Sequence, residues 1–448
     1  MEELLYVLSC IISEELLPTT QEEARNCSEW IGEQVCQDMI SVLPEELIIR
    51  ILSLIPTKYA VKTMVLSKRW RSVWTLVPKL FYKERDFDGC GSLSRFLNKS
   101  LELNKAPMLE TLCIQLGSRL PVDAVGNWVA KAVDRCVREI ELEIQRTAAF
   151  TILPMCLYTC KTLVVLNLTG NIGVDVPSSV CLPSLKRLFL VYVVYRNDYS
   201  LFRLLSSANA ISDLYVKRRP YDHVRKFIVE VPSLQIFRYV NIPSRDRVGK
   251  GVGSLVIESP GLKELIINDL SGDSCLIENL PNLNEACINV FGYLDDKLLR
   301  SISSVTSLGL FLTKQMFANP STIPNFSRLI TLDLCPFMFS WFRPLMLLLS
   351  NSPKLTVLRV FYCPSFLWVN PSSVPDCLLF HLKTFECVQY GGREGEKQLV
   401  AYILANSKCL EKAVISVTTN FGGEYKVKKE KELESMFRVS AASQLLFE

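Results

Sequence analysis

The chain has 448 residues, 49% hydrophobic and 21% charged, which supplies ample core and argues against disorder over most of its length. A net charge of +4 is small for this size and argues against a dedicated, charge-driven nucleic-acid binder. Sixteen cysteines are scattered without a repeating framework, so a disulfide scaffold is excluded; those in apolar runs, such as Cys113, Cys287 and Cys387, read as reduced core residues.

In chain order, the first feature is "LLYVLSCII" at 4–12. Glu2 and Glu3 precede it, where a signal peptide needs positive charge. The run is too short to cross a bilayer, and no later stretch reaches about 18 uninterrupted apolar residues, so no membrane partner is expected. Residues 1–37 read as a poorly ordered extension.

The block "SVLPEELIIRILSLIPTKYAVKTMVLSKRWRSVW" at 41–74 comes next. Pro44 suits the first turn of a helix. Leu47, Ile48, Ile51, Leu52, Leu54 and Ile55 then fall at helical spacings, and Pro56 ends the run. A second short helix is predicted over 58–64, and a third after Ser67 carrying Trp70, Val73 and Trp74. So small a block cannot bury all these faces internally, and an exposed apolar patch marks a partner site. Eight Lys/Arg and one acid between Lys58 and Arg85 read as the solvated face of these helices rather than a nucleic-acid surface.

From Leu109 onward the pattern apolar-x-x-apolar-x-apolar recurs thirteen times, from "LETLCI" at Leu109 through "LKRLFL" at Leu185 and "LKELII" at Leu262 to "LEKAVI" at Leu410, with starts 21 to 28 residues apart. That spacing matches a leucine-rich repeat, about 20–29 residues per unit. The second and third apolar positions share one face of a short strand, and stacked strands form a parallel sheet. "P-x-L" precedes several units, as in "LPSL" at 182–185 and "SPKL" at 352–355, where proline turns the chain into the strand. Return segments such as 342–351 and 397–407 read as helices. The predicted fold is α/β, a helical head followed by an irregular repeat solenoid with a parallel sheet. Strand residues on the outer face, Arg187, Tyr215, Arg238, Glu264, Asp333 and Arg359, are weak candidates for contacting a target.

No constellation points to catalysis or a cofactor. The two histidines, His223 and His381, have no nucleophile signature beside them. Cys156 and Cys160 lack the second ligand pair that zinc needs. "GKGVGS" at 249–254 departs from G-x-x-x-x-G-K-[ST] and reads as a turn between repeats, and "VKRRP" at 216–220 is too short for a nuclear signal.

The stretch "DMISVLPEELIIRILSLIPTKYAVKTMVLSKRWRSVW" resembles an F-box of the large plant family that joins it to leucine-rich repeats. "VPDCLLFHLKTFECVQYGGREGEKQLVAYILANSKCLEKAVI" at 374–415, with "QLLFE" at 444–448, resembles the FBD module that ends many of these proteins; the segment between is shorter than usual and lacks part of the expected helix around "KELESMFRVSAAS". The resemblance implies an extension at 1–37, an F-box at 38–85, repeats at 86–373 and an FBD module at 374–448. It implies a non-enzymatic substrate receptor in the nucleus or cytoplasm. The F-box binds the Skp-type adaptor of a cullin-based ubiquitin ligase, and the repeats hold an unknown target. Carried over by motif position, the adaptor contacts are Leu43, Pro44, Leu47, Ile51, Leu52, Val65, Leu66, Trp70 and Trp74. Two alternatives stay open: a repeat scaffold without a ligase role, and a receptor that needs a small molecule on its sheet.

Overall fold

The computed structural model describes residues 43–87, 90–117, 123–145, 150–221, 223–278, 280–291, 296–312, 323–336, 341–361, 366, 368–418 and 423–448. The extension expected at 1–37 lies outside them. Contacts divide the chain into two compact units, Met1–Leu185 and Lys186–Glu448.

Among the described residues the first unit begins with three short helices, α1 (Glu45–Leu52), α2 (Thr57–Lys62) and α3 (Trp70–Val73). Each of the first two starts directly after a proline, Pro44 or Pro56, whose carbonyl accepts the first helical N–H groups. Glu45 and Glu46 sit in the first turn of α1 and Arg50 in its last, matching the helix dipole. The second helix is shorter than the sequence pattern suggests, because its last turn tightens to 3₁₀ geometry at Thr63–Val65. There the Thr63 hydroxyl donates to the Ala60 carbonyl at 2.7 Å.

The sheet follows. Strands β1 (Lys79–Lys83), β2 (Thr111–Leu116), β3 (Glu139–Ile144) and β5 (Val165–Gly170) pair in that order, all parallel. Helices α4 (Cys90–Leu103) and α5 (Asp123–Asp134) carry the first two crossovers. Short strands β4 (Thr151–Ile152) and β6 (Ile172–Val174) form a separate parallel pair. The backbone N–H of Phe81 donates to the Thr57 hydroxyl at 2.8 Å, tying the head to β1.

The second unit continues the same plan. After β7 (Arg187–Val191), β8 (Val194–Tyr195) and α6 (Asp198–Ser206) come β9 (Asp213–Lys217), β10 (Lys226–Val229), β11 (Ile236–Asn241), β12 (Ser254–Glu258), β13 (Glu264–Asp269), β14 (Ser274–Glu278) and β15 (Glu285–Val290). Then follow α7 (Asp296–Ser301), β16 (Ser307–Leu312), β17 (Thr331–Pro336), α8 (Phe342–Ser350), β18 (Val357–Phe361), α9 (Asp376–Phe380), β19 (Thr384–Tyr390), α10 (Glu394–Asn406), β20 (Lys412–Val417), α11 (Gly423–Glu434) and β21 (Gln444–Phe447). The main ladder runs β7-β9-β11-β13-β15-β16-β17-β18-β19-β20-β21, parallel at every step. Strands β10, β12 and β14 make a second parallel ladder.

All three apolar positions of all thirteen repeats are buried, none more than 4% exposed. Residues Leu182, Val231, Ser259, Leu280 and Ser352 each accept a hydrogen bond from the leucine three residues on, with proline second in the turn. The proline thus sits where its fixed φ is pre-set and its missing N–H costs nothing.

At the C-terminal end α11 stops at Glu434, so of the segment "KELESMFRVSAAS" at 431–443 only the first four residues are helical. The helix is tied to the elements before it. Its Tyr425 hydroxyl donates to the Gly391 carbonyl at 2.8 Å, and its Glu432 pairs with Lys397 of α10 at 2.5 Å. Glu396, 1% exposed, accepts from the Gly391 and Arg393 N–H groups at 3.0 and 2.9 Å. Burial pushes its carboxyl pKa up, and those N–H groups and the Arg393 charge oppose the shift. Strand β21 then pairs with β20, Gln444 opposite Lys412.

Candidate interaction surfaces

Helix α1 carries two apolar stripes rather than one. Ile48 and Leu52 on the helix, with Ile55 just beyond, turn inward onto Ala60, Trp70, Val73, Trp74 and Val77 as one cluster. Pro44, Leu47, Ile51 and Leu54 follow a neighbouring line at spacings of three and four residues. Leu47 is 37% exposed and Leu54 50% exposed, with Pro44 also exposed and Ile51 half-buried. Beyond the helix, Tyr59 and Val65 add exposed apolar surface, Val65 at 74%.

Of the nine expected adaptor contacts, Pro44, Leu47 and Val65 are exposed, and Leu43, Ile51 and Leu66 are half-buried against the core cluster. Leu52, Trp70 and Trp74 are 0%, 1% and 3% exposed and are core residues, so reading them as surface anchors is corrected. A block this small buries its largest side chains first, since they remove the most apolar area from water. Leu54 and Tyr59 stood outside the expected set. Leu54 continues the Leu47–Ile51 spacing, a signal available in the sequence.

The outer face of the second unit's sheet is organised by register. Tyr215, Arg238, Ile266, Cys287, Gly309, Asp333, Arg359 and Glu386 occupy one continuous row across eight strands. The adjacent row carries Arg187, Asp213, Ile236, Glu264, Glu285 and Ser307. Arg238 bridges Asp213 at 3.4 Å and Glu264 at 3.1 Å. Arg359 bridges Asp333 at 3.3 Å and Glu386 at 3.0 Å. Four of the six expected target contacts, Arg238, Glu264, Asp333 and Arg359, are therefore held in two acid–arginine–acid sets. Arg187 is exposed opposite Asp213, and Tyr215 is half-buried beside Phe189, ring centroids 6.4 Å apart. Burial raises the pKa of Asp213 and of Asp333, and the arginine beside each opposes the rise.

Between the two sets the row shrinks to Ile266, Cys287 and Gly309. A cavity of about 420 Å³ opens there, rimmed by Phe311 and Phe361 and by the carboxylates of Glu264, Glu285 and Asp333. A Cβ on Gly309 would sit 3.1 Å from the Cys287 Sγ, so a side chain there would crowd the floor. Glu285 makes no ion pair among the described residues. Cys287 is half-buried on this outer face, so its reading as a core cysteine is corrected; Cys113 and Cys387 are buried thiols.

The remaining constellations stay apart. His223 and His381 are both exposed. Among the described residues no His, Cys, Asp and Glu group could hold a metal, and no helix is long and apolar enough to cross a membrane.

Two outcomes follow. Trp74→Ala should cost the head about 3–5 kcal/mol by cavity formation, while Leu47→Ala should cost under about 1 kcal/mol, both read by chemical denaturation. Similar losses for the two would contradict the division between core and stripe. Arg359→Ala should cost about 1 kcal/mol near neutral pH, discounted for its partial exposure. A carboxyl whose folded pKa is raised loses stability as pH rises through that value, and removing Arg359 raises Asp333 further. The loss should therefore be larger at about pH 7.5 than at about pH 4.5. A pH-independent loss would contradict it.

Comparison with known proteins fits this layout. The F-box domain family model matches residues 40–82, the FBD model 370–415, and the model "FBD-associated F-box protein At5g56370, LRR repeats" 125–298. In Arabidopsis thaliana, "Putative F-box/FBD/LRR-repeat protein At1g22000" is 43% identical over 96% of this chain and 94% of its own. "Putative FBD-associated F-box protein At1g05080" is 42% identical over 93% and 99%, and "F-box/FBD/LRR-repeat protein At5g56420" 40% over 92% and 99%. With a helical head, a repeat sheet and a C-terminal strand–helix module in that order, the chain belongs to the plant F-box/FBD/LRR-repeat family.

Proposed function

We propose that the chain is the substrate-recognition subunit of an SCF-type (Skp–cullin–F-box) ubiquitin ligase. The observation that carries this reading is the second apolar stripe of the head, Pro44, Leu47, Ile51 and Leu54 with Val65 beyond it. Burying such a stripe against a partner helix stabilises a complex without disturbing the head's core. In this reading the F-box spans 38–85, the repeats 86–373 and the FBD module 374–448.

The receptor breaks no bond. It holds a target beside the ubiquitin-charged enzyme and raises the effective concentration of its lysines. The sheet face of the second unit is the surface we assign to the target. Its cavity has an apolar floor for an aliphatic stem, and Glu285 on the rim offers a carboxylate to a cationic head group, so a lysine or arginine side chain of the target fits best. The role is exercised inside the cell, in the nucleus, the cytoplasm or both.

The test is co-purification with a plant Skp-type adaptor and cullin. Leu47→Glu with Val65→Glu changes two exposed positions. It should weaken adaptor binding at least about a hundredfold while leaving the melting temperature unchanged. Undiminished binding by that variant would overturn the assignment. Binding of the adaptor with no effect on any target's lifetime would favour a scaffold instead.

A further inference from the structure

A second cavity, about 360 Å³, lies where the loops of three successive repeats meet. Arg218, Arg219, Arg225, Arg247 and Lys250 line it. Among the described residues of the lining Asp273 is the one carboxylate, and it is already engaged. Its Oδ2 lies 3.7 Å from Arg218, both side chains being at least nine-tenths buried, and its Oδ1 accepts the Gly253 N–H at 2.9 Å. Arg225, Arg247 and Lys250 form no ion pair among the described residues. Three further acids lie close but outside the lining: Asp198 accepts the Arg225 backbone N–H at 3.1 Å, the buried Asp269 accepts from the Ser271 hydroxyl at 2.6 Å, and Asp246 is exposed.

The glycine-rich segment before β12 explains how Lys250 comes to face this space. Gly249, Gly251 and Gly253 spend their N–H groups on the Leu270 carbonyl, the Ser271 carbonyl and the Asp273 carboxylate. The chain therefore lies flat on 270–273. A Cβ at Gly251 would sit 2.3 Å from the Asp273 Oδ1, and one at Gly253 2.7 Å from the Arg225 carbonyl oxygen. This is not a loop that cradles phosphate with its backbone, because its amides are taken. Recognition falls to the side chains.

We propose that this cavity binds a small phosphate-type polyanion. Three cations without an ion pair among the described residues, Arg225, Arg247 and Lys250, converge beside the Arg218–Asp273 pair, and guanidinium groups pair with phosphate oxygens in bidentate fashion. The volume suits a discrete small ligand or one phosphorylated residue rather than an extended nucleic-acid backbone. The chain's modest net charge of +4 points the same way. The site is separate from the adaptor stripe and does not depend on it.

The experiment is isothermal titration calorimetry of the full chain with tripolyphosphate, and in a second arm with a phosphoserine peptide. Wild-type protein should bind at least one of them, more weakly as salt rises. The double substitution Arg247→Glu and Lys250→Glu, both on exposed loops, should weaken binding at least about tenfold. Lys297→Glu with Arg300→Glu on α7 changes the net charge by the same amount at exposed positions and should leave affinity within about twofold. Tripolyphosphate binding alone identifies a free small anion as the source; peptide binding identifies a phosphorylated partner. Absence of binding to both probes, or an equal loss in the two double variants, overturns the site.

Discussion

Each repeat has three apolar side chains that it cannot bury alone, and the strand stacked beside it supplies the missing surface. At about 25 cal/mol per Å² of apolar area removed from water, this burial is the dominant favourable term holding the strands in register. Register has a second consequence. Because alternate strand residues face opposite ways, sealing one set fixes the other set in rows on the outer face. The charges of Asp213, Arg238, Glu264, Asp333, Arg359 and Glu386 meet for that reason alone.

The head obeys the opposite logic. It has few residues and spends its bulkiest side chains, Trp70 and Trp74, on its own interior. What remains for a partner is a line of middle-sized aliphatic groups on α1 and a valine beyond it. The indole Nε1 of Trp74 is buried with no acceptor among the described residues, a polar atom carried into the core with its ring. The large aromatic ring still belongs inside, because its apolar area outweighs one unsatisfied donor.

Much of this was legible in the sequence, and the boundary is physical. Thirteen repeats at steady spacing gave away the sheet, since strand periodicity and repeat length are both written in residue order. The head's helices followed from spacing and two prolines. Trp70 and Trp74 were misassigned because a partner-facing anchor and a core residue have the same helical spacing; only the packed structure says which side is covered. The acid–arginine–acid sets were readable in principle. Aligning the repeats position by position puts Asp333, Arg359 and Glu386 in one column, and Cys287 in the same outward column rather than in the core. The basic cavity was not readable. It depends on loops between repeats, where "VKRRP" and "GKGVGS" looked like unrelated surface turns until the fold brought them together.

The division of the head into a sealed core and an open stripe can be read directly by hydrogen–deuterium exchange of the full chain, with and without a purified plant Skp-type adaptor. Slowed exchange confined to the first unit's α1, α2 and the turn at 63–65 is expected, with the strands of the second unit's sheet unchanged. Adaptor binding that protects the sheet and leaves those helices exchanging as before would contradict it.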